Sequence, residues 1–262
     1  MTFNLRNLMF WTVLSILILT LLGCRTKVKE EFYPDGKLKS SIEYKGKKKD
    51  GEARMYYPNG QLQSLVRYKR DKEDGLAEYY GKDGVLTMDV EMKDGKKNGR
   101  MRTYFHTGER EMECYYKDDK LEGTQTYYDK LNHKISEMHY KNNVAEGAYT
   151  AWYSKAETLN GLNALRETGS YKNGLWDGEW VKYDENEWPV GRGIFQQGTG
   201  TMNHLKNGEV FKVTPYVKQK KEGDEIEYDS QGNVIKTITY HNDRIVAIDG
   251  VEIAHSEETA NP

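Results

Sequence analysis

Residues 51–75 read GEARMYYPNGQLQSLVRYKRDKEDG and contain one complete copy of the pattern that decides the fold. Gly51 and Gly75 bound the stretch, and Gly60 follows the first of them by nine residues. Two short segments, 52–57 and 61–68, flank Pro58-Asn59-Gly60, which is a typical turn sequence, and each reads as a strand. The stretch therefore predicts a β-hairpin with a three-residue turn, in which Tyr56 pairs with Leu62.

The same pattern recurs along most of the chain. Nine frames can be aligned, starting at residues 27, 51, 75, 99, 123, 147, 178, 199 and 223, and most lie 24 residues apart. An aromatic residue or histidine stands five residues into each frame, as Tyr56 and Tyr80 do. A supersecondary unit repeated at a fixed period is the mark of a repeat protein. The sequence therefore predicts an all-β, elongated antiparallel meander or solenoid of eight or nine hairpins.

The regular spacing breaks in the middle of the array. The frame at 147 carries seven extra residues, and the frame at 178 is three residues short. The tryptophans outside the N-terminal segment all lie around these breaks: Trp152, Trp176, Trp180 and Trp188. Interruptions of an array often mark its binding face, and Trp is enriched at binding hot spots. The four residues are therefore candidate binding residues, and the alternative is that they replace Tyr in the core where the register shifts.

The repeated motif resembles the MORN repeat family, and in particular its bacterial variant with a Tyr-Tyr-x-x-Gly core. The resemblance is carried by Tyr56-Tyr57-Pro58-Asn59-Gly60, by Asp74-Gly75 with Tyr79-Tyr80, and by Tyr127-Tyr128. It spans about residues 27–246. Bacterial proteins of this type are often described as antitoxins of a toxin–antitoxin pair, so the resemblance implies a protein partner.

The N-terminus has the features of an export signal. Residues 1–23 contain one charged side chain, Arg6, and an apolar run of fifteen residues from Leu8 to Leu22. A membrane-spanning helix needs about 20 apolar residues, so the run is short for an uncleaved anchor helix, which is the alternative. Leu21-Leu22-Gly23-Cys24 resembles the lipobox of bacterial lipoproteins. We therefore expect cleavage before Cys24 and lipidation of its thiol and amine.

These features divide the chain into four segments. We expect a lipoprotein signal peptide at 1–23, a linker at 24–29, the hairpin array at 30–250 and a disordered tail at 251–262. Arg25 is not the Asp that retains lipoproteins of enteric bacteria in the inner membrane, so the expected location is the cell envelope, at the outer membrane.

Composition narrows the function further. The chain has 39 Lys and Arg against 41 Asp and Glu, a balance without the basic excess of nucleic-acid-binding proteins, so we expect no nucleic-acid partner. Twenty tyrosines argue against a disordered chain despite a mean hydropathy of −0.89. No motif of a zinc protease, a serine hydrolase or a thiol redox protein is present, so no catalytic residue, metal or cofactor is expected.

Three weaker candidates for chemistry have a structural alternative. His133 and His139 are a conceivable metal pair, but solvated sheet positions suit them better. The carboxylates of loops such as Asp118-Asp119 are a conceivable calcium site, but polar turns explain them. Cys114 occupies a slot that holds Val66 and Val90 in other frames, which predicts a buried hydrophobic residue rather than a nucleophile.

Together these observations predict a non-enzymatic, lipid-anchored repeat protein. Its expected partners are the membrane, through the N-terminal lipid, and another envelope protein that the β-surface binds. Two alternatives remain: a surface lipoprotein that binds polysaccharide through exposed Tyr and Trp, and an antitoxin-like neutraliser of a partner toxin.

Overall fold

The computed structural model describes residues 26–154 and 163–253, which contain 23 strands and no helix. The predicted signal peptide at 1–23 and the lipidation residue Cys24 lie outside the described residues. The described chain separates into two compact units, and the boundary between them in the sequence lies between Gly108 and Glu109. Within each unit the strands are antiparallel and follow chain order, which confirms the predicted all-β hairpin repeats.

The first unit contains seven strands, each paired with the next one along the chain. They are β1 (Thr26–Phe32), β2 (Leu38–Lys45), β3 (Lys48–Tyr56), β4 (Leu62–Lys69), β5 (Lys72–Tyr80), β6 (Leu86–Lys93) and β7 (Lys96–Tyr104).

The second unit continues the same alternation, with two-residue strands before three of the frame glycines. Its strands are β8 (Arg110–Lys117), β9 (Lys120–Leu121), β10 (Gly123–Tyr128), β11 (Lys134–Lys141), β12 (Val144–Trp152), β13 (Leu165–Lys172), β14 (Leu175–Trp176), β15 (Gly178–Tyr183), β16 (Pro189–Gln196), β17 (Thr199–Lys206), β18 (Glu209–Val217), β19 (Lys220–Lys221), β20 (Gly223–Tyr228), β21 (Val234–His241), β22 (Arg244–Ile248) and β23 (Val251–Glu252).

The predicted three-residue turn is present between β3 and β4. Tyr56 pairs with Leu62, as the sequence predicted. The Tyr57 N–H donates to the Gln61 carbonyl at 2.8 Å, and the Gly60 N–H donates to the Tyr57 carbonyl at 2.8 Å. Gly60 has φ of +87°, a conformation that a side chain disfavours, which explains why glycine recurs there.

A second kind of turn joins one frame to the next and was not predicted. Between β4 and β5, Arg70 and Asp71 form a two-residue turn with φ of 52° and 72°. Two positive φ values are typical of the type I′ turn, whose twist suits a hairpin. Asn207 and Gly208 also have positive φ values, so the hairpin of the frame at 199 turns through two residues, whereas the hairpin of the frame at 51 uses three.

Hydrogen bonds join equivalent turns of successive frames. The Asp71 N–H donates to the Lys49 carbonyl at 2.9 Å, and Asp71 Oδ1 accepts from the Lys49 N–H at 2.8 Å. Asp243 and Lys221 repeat both bonds in the second unit, at 3.0 and 2.7 Å. These contacts fasten each hairpin to its neighbour, which is the nearest-neighbour stabilisation expected of repeats.

The core of each unit is thin and aromatic. In the first unit Val66, Ala77 and Val90 are buried, and tyrosine and methionine side chains pack against them. In the second unit Trp180, Phe195 and Met202 form the buried cluster. Cys114 has no exposed surface, which confirms that it is a small buried residue.

The array begins and ends differently from the predicted boundaries. β1 begins at Thr26, inside the predicted linker at 24–29, because all its residues can pair with β2 although their side chains are exposed. At the other end, Val251 and Glu252 pair with Ile248 and Ala247, so the segment predicted as a disordered tail starts with a short strand. Residues 254–262, and residues 155–162 of the insertion, lie outside the described chain.

Candidate functional site

Trp180, one of the four predicted binding residues, is a core residue. Only 2% of its surface is exposed, and its ring stacks on Tyr149 with the ring centroids 5.5 Å apart. Its indole N–H donates to the Ser170 carbonyl at 3.2 Å. A Cβ at Gly169 would lie 2.3 Å from the Trp180 ring, so the glycine leaves the space that the indole fills. Trp180 is therefore not available as a binding residue.

Trp176 and Trp152 are partly buried. Trp176 makes edge contacts with Phe195 and Tyr216, with centroids 5.1 and 5.5 Å apart. Trp152 ends β12 opposite Leu165. Trp176 and Trp180 therefore pack in the core, which was the alternative interpretation of the tryptophans. The four tryptophans do not form one surface patch.

Trp188 has the opposite environment, with 70% of its surface exposed. It ends the turn between β15 and β16, where Asp184 Oδ1 accepts from the N–H groups of Asn186 and Trp188, both at 2.9 Å. Glu187 supplies the positive φ of this turn, at 62°. Hydrogen bonds inside the turn thus hold its backbone, while the indole of Trp188 is exposed to solvent.

A groove of about 650 Å³ adjoins Trp188. Its lining combines the indole and aliphatic side chains with a carboxylate, a guanidinium and an amide: Asp184, Trp188, Pro189, Val190, Arg192, Leu205, Asn207 and Gly208. An apolar groove with a few polar groups is the usual form of a binding site.

The outward face of β16 extends this apolar surface. Gly191, Gly193 and Phe195 face the core, and the residues between them face out. Ile194 is 74% exposed, and Val190 is 36% exposed. We call Trp188, Val190, Arg192 and Ile194 the Trp188 surface. Sequence reasoning missed its aliphatic part, although the alternation at 190–195 carried the signal.

A polar network with a buried centre connects side chains of β17, β18, β19 and β20. His204 Nε2 is 2.9 Å from Thr214 Oγ1, which donates to Glu225 Oε2 at 2.8 Å. The Lys221 ammonium donates to the same carboxylate oxygen at 2.9 Å. Burial, aided by the Lys212 charge, lowers the pKa of His204 to about 4. Thr214 and Glu225 are only 0% and 3% exposed, so the hydroxyl and the carboxylate at the centre of the network are part of the internal packing.

The weaker candidates are parts of turns and strand faces. His133 Nδ1 lies 3.4 Å from Asp129 Oδ1 within its own turn, and His139 Nδ1 is 3.1 Å from the Ala148 carbonyl. Across residues 26–154 and 163–253, no three potential ligand side chains of His, Cys, Asp or Glu gather where they could hold a metal ion. The same residues contain no helix long and apolar enough to cross a bilayer.

Four segments of the chain match a protein-family model. The model of the MORN repeat variant matches residues 25–45, 49–70, 121–142 and 221–242, which coincide with hairpins of the array. No curated protein matches. The crystal structures of TcdB2-TccC3-TEV and TcdB2-TccC3 match 82% of this chain at 10% identity, with TM-scores of 0.17 and 0.16. The chain spans only 13% and 14% of the length of those two chains. The chain is therefore similar to the MORN repeat variant at these four segments.

Proposed function

We propose that this protein is a non-enzymatic, lipid-anchored repeat protein that binds another protein in the bacterial cell envelope. MORN repeats suggest a repeat-based binding or scaffold module. The single observation that carries the finer proposal is the exposure of Trp188 beside an apolar groove. Large exposed apolar residues rimmed by polar groups mark interaction surfaces, and Trp is enriched at binding hot spots.

The polar rim of the Trp188 surface suits a protein partner. Arg192 Nε lies 3.2 Å from Glu179 Oε1, and both side chains are more than half exposed. An exposed ion pair contributes little to folding, so its groups can be used for a partner's polar atoms. Trp188 and Ile194 would supply the apolar centre of the interface and Arg192 its rim.

The lipid anchor rests on Leu21-Leu22-Gly23-Cys24, the apolar run before it and the strand that follows. β1 begins at Thr26, two residues after Cys24, so a lipid on Cys24 would hold the first hairpin close to the bilayer surface. Metabolic labelling of the full chain with a radioactive fatty acid tests this part. We expect incorporation that Cys24→Ala abolishes, and labelling of that variant at the original level would contradict the anchor.

Capture of the partner tests the binding surface. An epitope-tagged full chain is expressed in the source cell, crosslinked and recovered as wild type, Trp188→Ser and Leu131→Ser. Leu131 is a matched control, because it is also exposed, at 65%, and lies in the equivalent turn of an earlier hairpin. We expect one stoichiometric envelope protein with the wild type and the control, and its loss with Trp188→Ser. Equal recovery with all three chains would contradict this surface.

Polysaccharide binding is the second candidate, and one observation favours it. The exposed face of Trp188 lies beside the carboxylate of Asp184, the guanidinium of Arg192 and the amide of Asn207, a set that can stack on and hydrogen-bond a sugar ring. Retention on envelope polysaccharide tests it. We expect Trp188→Phe to keep part of the retention and Trp188→Ser to lose it. Retention of Trp188→Ser at the wild-type level would exclude this role for the groove.

A further inference from the structure

A second groove, in the first unit, has a different chemistry. It has a volume of about 950 Å³ and is lined by residues in or next to the two-residue turns at 46–47, 70–71 and 94–95. Six cationic side chains line it: Lys48, Lys69, Arg70, Lys72, Lys93 and Arg100. Three carboxylates also line it: Asp74, Glu91 and Asp94. We call this the basic groove.

Lysines stand directly opposite one another at the strand ends beside this groove. Lys45 pairs with Lys48, Lys69 with Lys72, and Lys93 with Lys96. Like charges directly opposite on an antiparallel pair destabilise it. The arrangement recurs at each two-residue turn of the first unit, so the folded chain keeps positive charge concentrated along one edge.

The carboxylates of the basic groove already have partners. Glu91 Oε2 accepts from the Arg100 N–H at 3.0 Å, and Asp74 Oδ2 lies 3.5 Å from the Asp94 amide nitrogen. Asp94 Oδ1 is 3.8 Å from the Lys72 ammonium. Each of these carboxylates therefore interacts with a backbone N–H or with one cation. Together they do not neutralise the positive charge of the groove.

Most of the cations lack such partners. Within residues 26–154 and 163–253, the side-chain nitrogens of Lys48, Lys69, Arg70 and Lys93 make no ion pair within 4.0 Å and no hydrogen bond. Arg100 Nε is buried and has no hydrogen-bond partner in the same residues. Unpaired cations that line a concave surface focus a positive field, which raises the local concentration of anions.

The near-neutral net charge of the whole chain does not reveal the positive charge of the first unit. Residues 26–108 carry 19 Lys and Arg against 14 Asp and Glu, whereas residues 109–262 carry 18 against 27. The net charge of −2 for the whole chain is thus the sum of +5 for residues 26–108, −9 for residues 109–262 and +2 from Arg6 and Arg25. Charge asymmetry between halves of a chain indicates a charged partner for one of them.

We propose that the basic groove binds a linear, soluble polyanion that carries phosphoryl groups. Successive two-residue turns lie two strands apart, which spaces the lysine pairs by about 10 Å along a line. A flexible chain of anions can lie along this line within the groove and meet each pair in turn. The lysine pairs follow one line along the ends of the strands and do not cover a broad patch, so a chain of anions fits them better than a flat layer of lipid headgroups.

Binding of fluorescent long-chain polyphosphate to the full protein in nonionic detergent tests the proposal. The variant is Lys48→Gln with Lys72→Gln, and the matched control is Lys39→Gln with Lys82→Gln, which removes two exposed lysines of the same unit from outside the groove. Anisotropy is followed in 50 and 200 mM NaCl, with inorganic tripolyphosphate as one competitor and micelles that contain phosphatidylglycerol as the other.

We expect binding that weakens steeply with salt, a loss of about tenfold in the groove variant at the lower salt, and little change in the control. Tripolyphosphate is expected to compete better than the anionic micelles at equal phosphate. No binding, equal loss in both variants, or stronger competition by the micelles would each overturn the proposal. Thermal unfolding of both variants shows that they are folded, and Trp188 plays no part in the outcome.

Discussion

The hydroxyl of Tyr57 donates a hydrogen bond of 2.9 Å to the carbonyl oxygen of Tyr80, 23 residues further along the chain. Tyr33 makes the equivalent bond to the Tyr56 carbonyl at 2.6 Å, and in the second unit Tyr153 bonds to the Tyr183 carbonyl at 2.8 Å. In these three frames a tyrosine therefore joins one hairpin to the next at the edge opposite the two-residue turns. The bond requires a hydroxyl and not only an aromatic ring at this position.

Tyr57→Phe is expected to lower the free energy of unfolding by about 1 kcal/mol, because it removes the hydroxyl and leaves the Tyr80 carbonyl without this donor. Urea unfolding followed by tryptophan fluorescence measures the change. Tyr127→Phe is the control, since Tyr127 is 41% exposed and its loss of a hydroxyl should change stability little. Equal effects of the two substitutions would show that the Tyr57 bond does not stabilise the array.

Gly169→Ala is expected to lower the free energy of unfolding by about 1–3 kcal/mol, because its Cβ would overlap the Trp180 ring. Trp180→Leu removes that ring, so the cost of Gly169→Ala should largely disappear in the Trp180→Leu background. A double-mutant cycle by denaturant unfolding measures this coupling. Purely additive effects would mean that the cost of a side chain at residue 169 does not come from overlap with the Trp180 ring.

Neutralising Lys48 and Lys72 is expected to stabilise the folded chain while it weakens anion binding. Each substitution to Gln removes a repulsion between opposed lysines, worth about 0.2–1 kcal/mol. The Lys72–Asp94 pair is exposed on both sides and offsets little of this gain. Thermal unfolding at low and high salt measures it, and the gain should shrink in 1 M NaCl, where charges are screened beyond about 3 Å. A lower melting temperature than the Lys39→Gln, Lys82→Gln control would contradict the repulsion.

Stability is expected to fall as the pH is lowered from 7 to 5, in part through His204. Its pKa is lowered to about 4 in the folded chain, from 6.5, first by burial and then by Lys212. Between these values the unfolded chain binds a proton that the folded chain does not, so acid favours unfolding. His204→Gln should therefore reduce the slope of unfolding free energy against pH. An unchanged slope in His204→Gln would show that other groups cause the pH dependence of stability.

The repeat, the three-residue turn and the burial of Cys114 could be predicted because each depends on local pattern. Gly60 signals its turn through its own backbone preference, and Cys114 occupies a slot whose other members are apolar. The two-residue turns were missed because residues such as Arg70 and Lys218 adopt positive φ there without being glycine. Their conformation follows from the twist of the paired strands and not from their own preference.

The candidate sites were harder to predict, because their character depends on which face a residue occupies. Trp180 and Trp188 are the same residue type, eight positions apart, yet one fills the space above Gly169 and the other extends from a turn. Composition alone could not separate them. The basic groove was missed for another reason: the whole-chain charge averages over two units of opposite sign.

The bonds that join equivalent turns bear on how such a chain can evolve. Asp71 bonds to Lys49 and Asp243 to Lys221, each across 22 residues, so the attachment depends only on the residues that adjoining copies share. In-frame duplication or loss of 24 codons brings together residues that already match, and the new neighbours inherit the same attachment. The gene can therefore gain or lose whole repeats while each remaining hairpin keeps these hydrogen bonds. Substitutions can then change the exposed residues of individual repeats.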